Sequence, residues 1–341
     1  MRRISTPLSL TGLLAAATLT LTACAGENAP AGGGSGDAAA TNSSETLTID
    51  FATYNPLSLV IKEQGWLEEE LADDGVKVEW VQSAGSNKAN EALRSGAIDV
   101  GSTAGSAALL NRANGAPIKT FIVANQPEWA ALLVGPDSDI TSVEQLEGRS
   151  VAATKGTDPY FFLIQSLEQA GVDPSAVTVQ NLQHADGRTA LEYGSVDAWA
   201  GLDPIMAGAE TTGAEFLHRD PSLNSYSVVN ATEEFLTDSP EVAQTVADTY
   251  ERARAWAQEN PEETAAILAE VAGLDEGVAA KVIDERTNLD VSPVPGEEQR
   301  AVLEGIGPIF VETGDVPDQD QVDQALDTLF EPSFAQKASD Q

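Results

Sequence analysis

Residues 190–204 read ALEYGSVDAWAGLDP: the end of a helix, a glycine stop, a short strand, then a polar turn into another helix. The same grammar occurs earlier in the chain. Ala92-Leu93-Arg94-Ser95-Gly96-Ala97-Ile98-Asp99-Val100 and Ala190-Leu191-Glu192-Tyr193-Gly194-Ser195-Val196-Asp197-Ala198 share the pattern A-L-x-x-G-x-[IV]-D-x. Upstream of each copy a polar residue stands before a proline and an apolar run, at Asn55-Pro56 and Asp158-Pro159. That is the order of an N-cap followed by proline in the first helical turn. The repeat predicts two similar lobes, each ending strands in polar turns that open helices, with a cleft between them.

Outward from these anchors the chain alternates strand and helix. Residues 47–51 alternate like a strand, and Pro56 starts a helix punctuated by Gly65 and Gly75. Residues 76–81 read as a second strand, followed by a helix that Gly96 stops. Residues 98–100 form a short strand, and 101–106, GSTAGS, open a further helix. Strands follow at 118–123, 130–134, 150–153 and 177–182. This alternation predicts an α/β fold with largely parallel sheets. Residues 225–229 return to the first lobe, and 239–334 read as consecutive helices with solvated acidic faces.

Composition narrows the function. The 341 residues suffice for two domains with cores of their own, and 42% hydrophobic content fits a globular chain. The formal net charge is −36. Phosphate binding needs a basic surface, so no nucleic-acid partner is expected. The single cysteine, Cys24, excludes an internal disulfide and a cysteine-rich metal site, and two histidines argue against a histidine metal cluster. Neither a metal nor a cofactor is expected.

The N-terminus reads as a targeting segment. Arg2 and Arg3 precede an apolar run at 8–21 that is too short to span a membrane, followed by Leu21-Thr22-Ala23-Cys24. This resembles the lipobox of bacterial lipoproteins, which implies cleavage before Cys24, acylation of that residue and attachment to the extracytoplasmic face of the cell membrane. Removal of two arginines and no acids leaves a net charge of −38. Residues 25–45, rich in Gly, Ala and Ser, form a flexible tether. Scarce lysine with abundant Ala, Gly and Asp hints at a high-GC, Gram-positive source.

The order of motifs resembles the substrate-binding lipoproteins of ABC importers, in the group for aliphatic sulfonates, taurine and nitrate. The matching strings are a Pro-started helix ending in G-W-L, then A-L-x-x-G-x-I-D-V-G-S-T, S-V-E-Q-L-E-G-R-S-V-A, K-G-T, Q-A-G-V and G-S-V-D-A-W-A-x-x-D-P, across about residues 46–335. The last is most similar to the alkanesulfonate binders. The resemblance implies a type II periplasmic-binding-protein fold: two Rossmann-like lobes joined by two crossovers, closing on a small organic anion, with C-terminal helices. It implies a permease and its ATPase as partners, and a monomer. The expected divisions are a signal peptide at 1–23, the lipidated cysteine and linker at 24–45, and lobe I at 46–135. Lobe II covers 136–222, the return to lobe I with C-terminal helices 223–335, and a tail 336–341.

In open α/β lobes ligands bind beyond the C-terminal ends of parallel strands. Here those ends precede helices at Tyr54-Asn55, Ser102-Thr103, Thr157-Asp158 and Leu202-Asp203. A helix N-terminus offers unpaired N–H groups and a partial positive charge, an oxyanion site that needs no arginine. The expected ligand-binding residues are therefore Tyr54, Asn55, Ser102, Thr103, Thr157, Asp158 and Asp203, joined by Gln126 and Trp129 of a loop between strands and by Trp199. Asn55, Asp158, Ser102 and Thr103 have a simpler reading as helix caps, and Trp199 as core. Asp203 either pairs with Lys155 or Arg188, binds a ligand amine, or caps a helix. His184 and Arg188 read as parts of a helix approach.

Two function classes follow. One is a binding module for an aliphatic sulfonate or, on the same fold, nitrate, taurine, a pyrimidine vitamin precursor, riboflavin or an aromatic acid. Tyr54, Trp129, Tyr160, Phe161 and Trp199 leave a flat ring open. The other is an enzyme of this fold. The sulfinate desulfinase of similar architecture relies on a cysteine nucleophile, and pyrimidine-precursor synthases on histidine and a cysteine-rich loop. Neither set is present, so no catalytic residue is expected.

Overall fold

The structure, a computed structural model, describes residues 46–340. The expected signal peptide, the Cys24 lipidation site and the tether lie outside the described residues.

The first lobe opens with β1 (Thr46–Phe51), α1 (Pro56–Gln64), α2 (Trp66–Leu71), β2 (Lys77–Gln82), α3 (Ser86–Ser95), β3 (Val100–Ala104), α4 (Gly105–Ala113) and β4 (Ile118–Pro127). The second contains β5 (Ala130–Val134), β6 (Ser150–Ala153), α5 (Asp158–Gln169), β7 (Thr178–Asn181), α6 (His184–Glu192), β8 (Ala198–Leu202), α7 (Ile205–Glu210) and β9 (Glu215–His218). The chain returns through β10 (Ser227–Thr232) to α8 (Glu233–Asp238), α9 (Pro240–Glu259), α10 (Pro261–Ala272), α11 (Glu276–Lys281) and a π-helical turn at Val282–Arg286. β11 (Thr287–Asn288), α12 (Glu297–Glu312), α13 (Gln319–Leu329) and α14 (Ser333–Ser339) complete it.

Two sheets result, in the orders β11-β4-β10-β3-β1-β2 and β7-β6-β8-β5-β9. They are mixed rather than largely parallel. β1 runs parallel to β2 and β3, and β6 parallel to β7 and β8. The strands that carry the chain between lobes insert antiparallel: β10 beside β3 and β4, and β5 beside β8 and β9. Because β5 belongs to the second sheet, the first crossing falls at residues 128–129, before the expected boundary at 136.

The sequence repeat has a structural counterpart. α3 ends at Gly96 with φ 68° and α6 runs to Gly194 with φ 65°, the left-handed geometry that glycine adopts without steric cost. Each repeat aspartate then pins its strand to a parallel neighbour, β1 in the first lobe and β6 in the second. Asp99 accepts from Thr48 N (2.8 Å) and donates its own amide to Thr48 O; Asp197 does the same with Ser150.

The lobes are also joined by packing. One buried cluster runs from Tyr54 and Ala104 through Leu132 and Phe162 to Phe310 and Leu329. Within it Phe161 of α5 meets Phe310 of α12, ring centroids 4.9 Å apart, so a C-terminal helix braces the second lobe. Each fully buried ring of this size contributes roughly 2–3 kcal/mol of transfer free energy. A second cluster lines the far face of the first sheet, where Phe121, Val229 and Tyr250 pack under α1 and α9.

Candidate functional site

Between the lobes lies a narrow cavity of about 170 Å³ lined by Tyr54, Ser86, Ala104, Trp129, Thr157, Asp158, Pro159 and Leu202. It sits where α3, α4 and α5 begin and where the first crossover passes. The lobes are closed so far that no water-sized sphere fits inside. A ligand enters only as they part. A larger hollow, about 1330 Å³ on the same measure, lies against the crossovers and is lined by Gln126, Glu128, Pro221, Arg286 and Asn288 among others. It shares no residue with the smaller cavity, and the candidate site is the smaller one because three helix starts converge there.

Asp158 is the most heavily bonded residue of the cavity. It is not the expected cap: Thr157 is the N-cap of α5 and Asp158 the first helical residue. Its carboxylate leaves its own helix. Ser106 Oγ and Ser225 Oγ donate to Oδ1, the latter at 2.8 Å, while Ser225 N (2.8 Å) and Trp129 Nε1 (2.9 Å) donate to Oδ2. Ser106 belongs to α4 of the first lobe, Trp129 to the first crossover and Ser225 to the second. One carboxylate therefore ties α5 to both crossovers and to the opposite lobe. Burial pushes its carboxyl above the ordinary range, and the bonds from Ser106, Trp129 and Ser225 pull it back down. Such charge-assisted bonds contribute roughly 1.5–3 kcal/mol each and offset part of the cost of burying the charge.

The other expected residues divide by what they touch. Tyr54 lines the cavity, donates Oη–H to Ser102 O (2.9 Å) and meets Trp129 edge-on with centroids 6.1 Å apart. Thr157 lines it too, with its hydroxyl donated to Thr154 O (2.6 Å). Ser102 and Thr103 lie inside β3, which runs on to Ala104, and not in a turn opening α4. Both are fully buried. Ser102 Oγ donates to Asp50 Oδ1 (3.0 Å), and Thr103 Oγ1 donates to Ala104 O while accepting from Asn230 Nδ2. Asn55 is the N-cap of α1, but its side chain makes no cap bond and donates to Tyr250 Oη (3.3 Å).

Gln126 pairs with Asn288 at the edge of the first sheet and faces the larger hollow. Trp199 is interior, packed on Gly187, where any side chain would collide with its indole. Tyr160 and Phe161 belong to the core. Asp203 pairs with neither Lys155 nor Arg188. Its partner is Arg286, whose Nη1 lies 3.1 and 3.0 Å from the two carboxylate oxygens, and it also accepts from Ala207 N (2.9 Å) in α7. Arg286 reaches Glu210 as well, so the π-helical turn of the C-terminal segment holds α7 of the second lobe by two ion pairs. Burial pushes Asp203 up to about 6 against the pull of Arg286, which leaves the pair ionic at neutral pH.

Sequence reading missed Ser86, Ser106, Ser225, Arg286 and the Gly85–His184 contact. The pattern Gly85-Ser86 at the end of a strand and the start of a helix was a usable signal of the same kind as the others. Ser225 and Arg286 had none, because only the return of the chain through the second crossover brings them to Asp158 and Asp203.

Two α/β lobes joined at two crossovers, with helix starts converging on a cavity between them, define a two-lobe binding-protein fold. The chain belongs to the NMT1/THI5-like family, whose sequence pattern matches residues 57–264. It is 29% identical over 291 residues to a protein of Escherichia coli K12 named "Putative aliphatic sulfonates-binding protein", covering 84% of this chain and 90% of that one. Among solved structures, the alkanesulfonate-binding protein of Xanthomonas axonopodis pv. citri bound to MOPS superposes with a TM-score of 0.76 at 24% identity, covering 83% of this chain and 98% of the other. The periplasmic aliphatic sulphonate binding protein of E. coli gives 0.72 at 28% identity, covering 85% and 93%. A desulfurization enzyme shares the fold alone, with a TM-score of 0.64 at 16% identity over 86% of this chain and 99% of its own.

Proposed function

We propose that this protein is the extracytoplasmic binding component of an ABC importer that captures a small organic anion, an aliphatic sulfonate before others, and hands it to a permease and its ATPase. The observation that carries this reading is the convergence of the α3, α4 and α5 starts on one inter-lobe cavity. Helix N-termini hold an anion with backbone N–H groups and local dipoles, so binding needs no basic residue in a chain of net charge −36. Distant exposed acids are screened over about 8 Å at physiological ionic strength and weigh little in a dry cleft. The similarity to sulfonate-binding relatives supports the same ligand class.

In this reading Ser86, Thr157 and Tyr54 face the ligand. Asp158, Trp129 and Ser225 form the hinge fastening, and Ser102, Thr103 and Asn55 support the strand and helix that present the site. The ligand shifts the population from open to closed lobes, and the closed form docks on the permease. The work is done by binding alone, because the only cysteine of the sequence is Cys24 and no thiol can serve as nucleophile in the cleft. We assign Cys24 as the acylated anchor, residues 24–45 as the tether, and a monomer on the outer face of the cell membrane.

A thermal-shift screen against alkanesulfonates, taurine, nitrate, riboflavin and aromatic acids tests the assignment. A ligand at a hundred times its Kd adds about 2.7 kcal/mol of stability. Stabilisation by alkanesulfonates without effect of the flat rings is the expected result. Stabilisation by ring compounds alone overturns the sulfonate assignment and shifts the contacts within the cavity to the Tyr54–Trp129 pair.

A further inference from the structure

His184, the first residue of α6, carries a lone pair that nothing in the described structure uses. It is 1% exposed. Its Nδ1 lies 3.2 Å from Thr154 Oγ1, and that hydroxyl's one proton is donated to Leu182 O at 2.6 Å. Nδ1 must therefore carry the ring proton and donate to Thr154, which leaves Nε2 as an acceptor. Nε2 has no hydrogen-bond partner among the described residues.

Nε2 points across the cleft at the start of α3 in the opposite lobe. A methyl group on Gly85, the N-cap of α3, would lie 3.0 Å from Nε2 and 2.9 Å from Asn87 Oδ1, a second atom without a partner. The first amides of this ten-residue helix, Ser86 and Asn87, precede its first internal bonds, which run from Lys88 N and Ala89 N to Gly85 O. Ser86 also lines the inter-lobe cavity. Helix donors and an unmet imidazole nitrogen thus face each other from opposite lobes at the edge of the proposed site. A dry, unpaired polar atom costs about 1–3 kcal/mol, so a closed form without ligand carries that cost.

We propose that the N-terminus of α3 and His184 form a proton-coupled oxyanion clamp: the ligand's sulfonate accepts from the Ser86 and Asn87 amides while His184 takes a proton from solvent at Nε2 and donates to the same group. This rests on the sulfonate reading above. A sulfonate is fully ionised at physiological pH and has no proton to give, so it satisfies Nε2 only if the ring arrives charged. The imidazolium then donates at both nitrogens, to Thr154 Oγ1 and to the ligand, and the bond across the cleft holds the lobes shut.

Without ligand, burial pushes the ring down to about 4, and no charged neighbour contributes. Most charged groups on the surrounding elements are occupied elsewhere, and Asp186, on the same helix, is exposed to solvent. Lys88 pairs with Glu91, Arg188 with Glu192, Lys155 lies over the Tyr160 ring, and Asp158 is held by Ser106, Ser225 and Trp129. Only a bound anion supplies the charge that stabilises imidazolium here. Ligand binding therefore raises the ring's proton affinity, and by linkage the ligand binds more tightly as pH falls.

The test is calorimetric titration of the protein with ethanesulfonate from pH 8.5 to 5.5, in buffers of different ionisation enthalpy. Wild type is expected to gain affinity toward acid, by up to tenfold per pH unit, with up to one proton taken up per ligand. His184→Gln, whose neutral amide can donate without titrating, is expected to bind with a flat pH profile and no proton uptake. A flat or inverted profile in the wild type, or an unchanged slope in His184→Gln, overturns the clamp and leaves sulfonate binding standing. Absence of ethanesulfonate binding at every pH overturns the sulfonate reading and the clamp together.

Discussion

The carboxylate of Asp158 accepts a hydrogen bond from Trp129 Nε1 at 2.9 Å, and the two residues sit on the parts of the molecule that must move relative to each other when the lobes open. Asp158 begins α5 of the second lobe; Trp129 lies on the first crossover. With Ser225 of the second crossover and Ser106 of the first lobe on the same carboxylate, the pair ties both crossovers to the second lobe at the cavity wall.

Removing that carboxylate strands four donors. Asp158→Ala is expected to lower stability by about 3 kcal/mol, since each buried donor left unpaired costs 1–3 kcal/mol, partly recovered by relaxation. Trp129→Phe removes one bond and keeps most of the packing, at a cost of about 1 kcal/mol. Urea unfolding measures both. A larger loss in Trp129→Phe than in Asp158→Ala would contradict the bonding pattern. Small-angle scattering of Asp158→Ala should show a more open ensemble than wild type.

Gly85 sets how closely the lobes approach. Gly85→Ala places a methyl group against His184 Nε2 and Asn87 Oδ1 at 3.0 and 2.9 Å, tighter than ordinary contact. The expected result is weaker ligand binding, on the order of tenfold, together with lower stability, because Gly85 adopts φ 157°, a backbone region strained for any L side chain, and the Asn87 contact lies within the same lobe. Calorimetric titration beside urea unfolding measures both effects, and a Gly85→Ala affinity equal to that of wild type would show that the contact does not limit closure.

Arg286 and Asp203 are both nearly inaccessible, with side chains 1% and 3% exposed. Arg286→Met removes the pull that keeps Asp203 ionised, so the buried carboxyl must take up a proton or stay charged without its partner, and breaking a buried pair in this way costs roughly 3–5 kcal/mol. Arg286→Met with Asp203→Asn removes the stranded charge and should recover about half of that loss. Chemical denaturation of the two variants beside wild type measures the difference, and equal losses would show that the charge is not the cause.

Asp50 gives a pH dependence of defined sign. It is fully buried, and burial pushes it from 3.8 to about 7 against the hydrogen bonds of Ser83 and Ser102. The folded state therefore binds more protons than the unfolded state between pH 4 and 7, so this contribution to stability falls as pH rises through that window and is constant above it. Three units correspond to about 4 kcal/mol at most. The stability difference between Asp50→Asn and wild type should grow in favour of Asp50→Asn from pH 4 to 7. A difference independent of pH would show that Asp50 ionises freely in the folded chain.

How much of this was legible beforehand follows from the range of the interactions involved. The A-L-x-x-G-x-[IV]-D-x repeat marked a helix stop and a strand in each lobe, because a left-handed glycine is decided by its own turn, whereas the aspartates' bonds to Thr48 and Ser150, 51 and 47 residues back, are set by the sheet. The prolines at 56 and 159 fell in first helical turns as expected, and those at 240 and 261 do the same, since a missing N–H is tolerated there. Ser102 and Thr103 were placed in a turn for want of one long-range fact. β10 returns alongside β3 and extends it to Ala104, which turns those residues into sheet interior.

The sequence by itself determined two α/β lobes, the helix starts that meet between them, and the absence of any thiol from the cleft, because each depends on local chain geometry or on composition. Tertiary structure alone decided which residue each polar side chain answers. Asp158 and Asp203 looked like caps or ligand contacts. They are bound instead by Ser225 and Arg286, 67 and 83 residues further along the chain. Nothing local encodes such a pairing. It follows from the second crossover, which carries the chain back past both carboxylates, and from the cost of burying a charge without a partner.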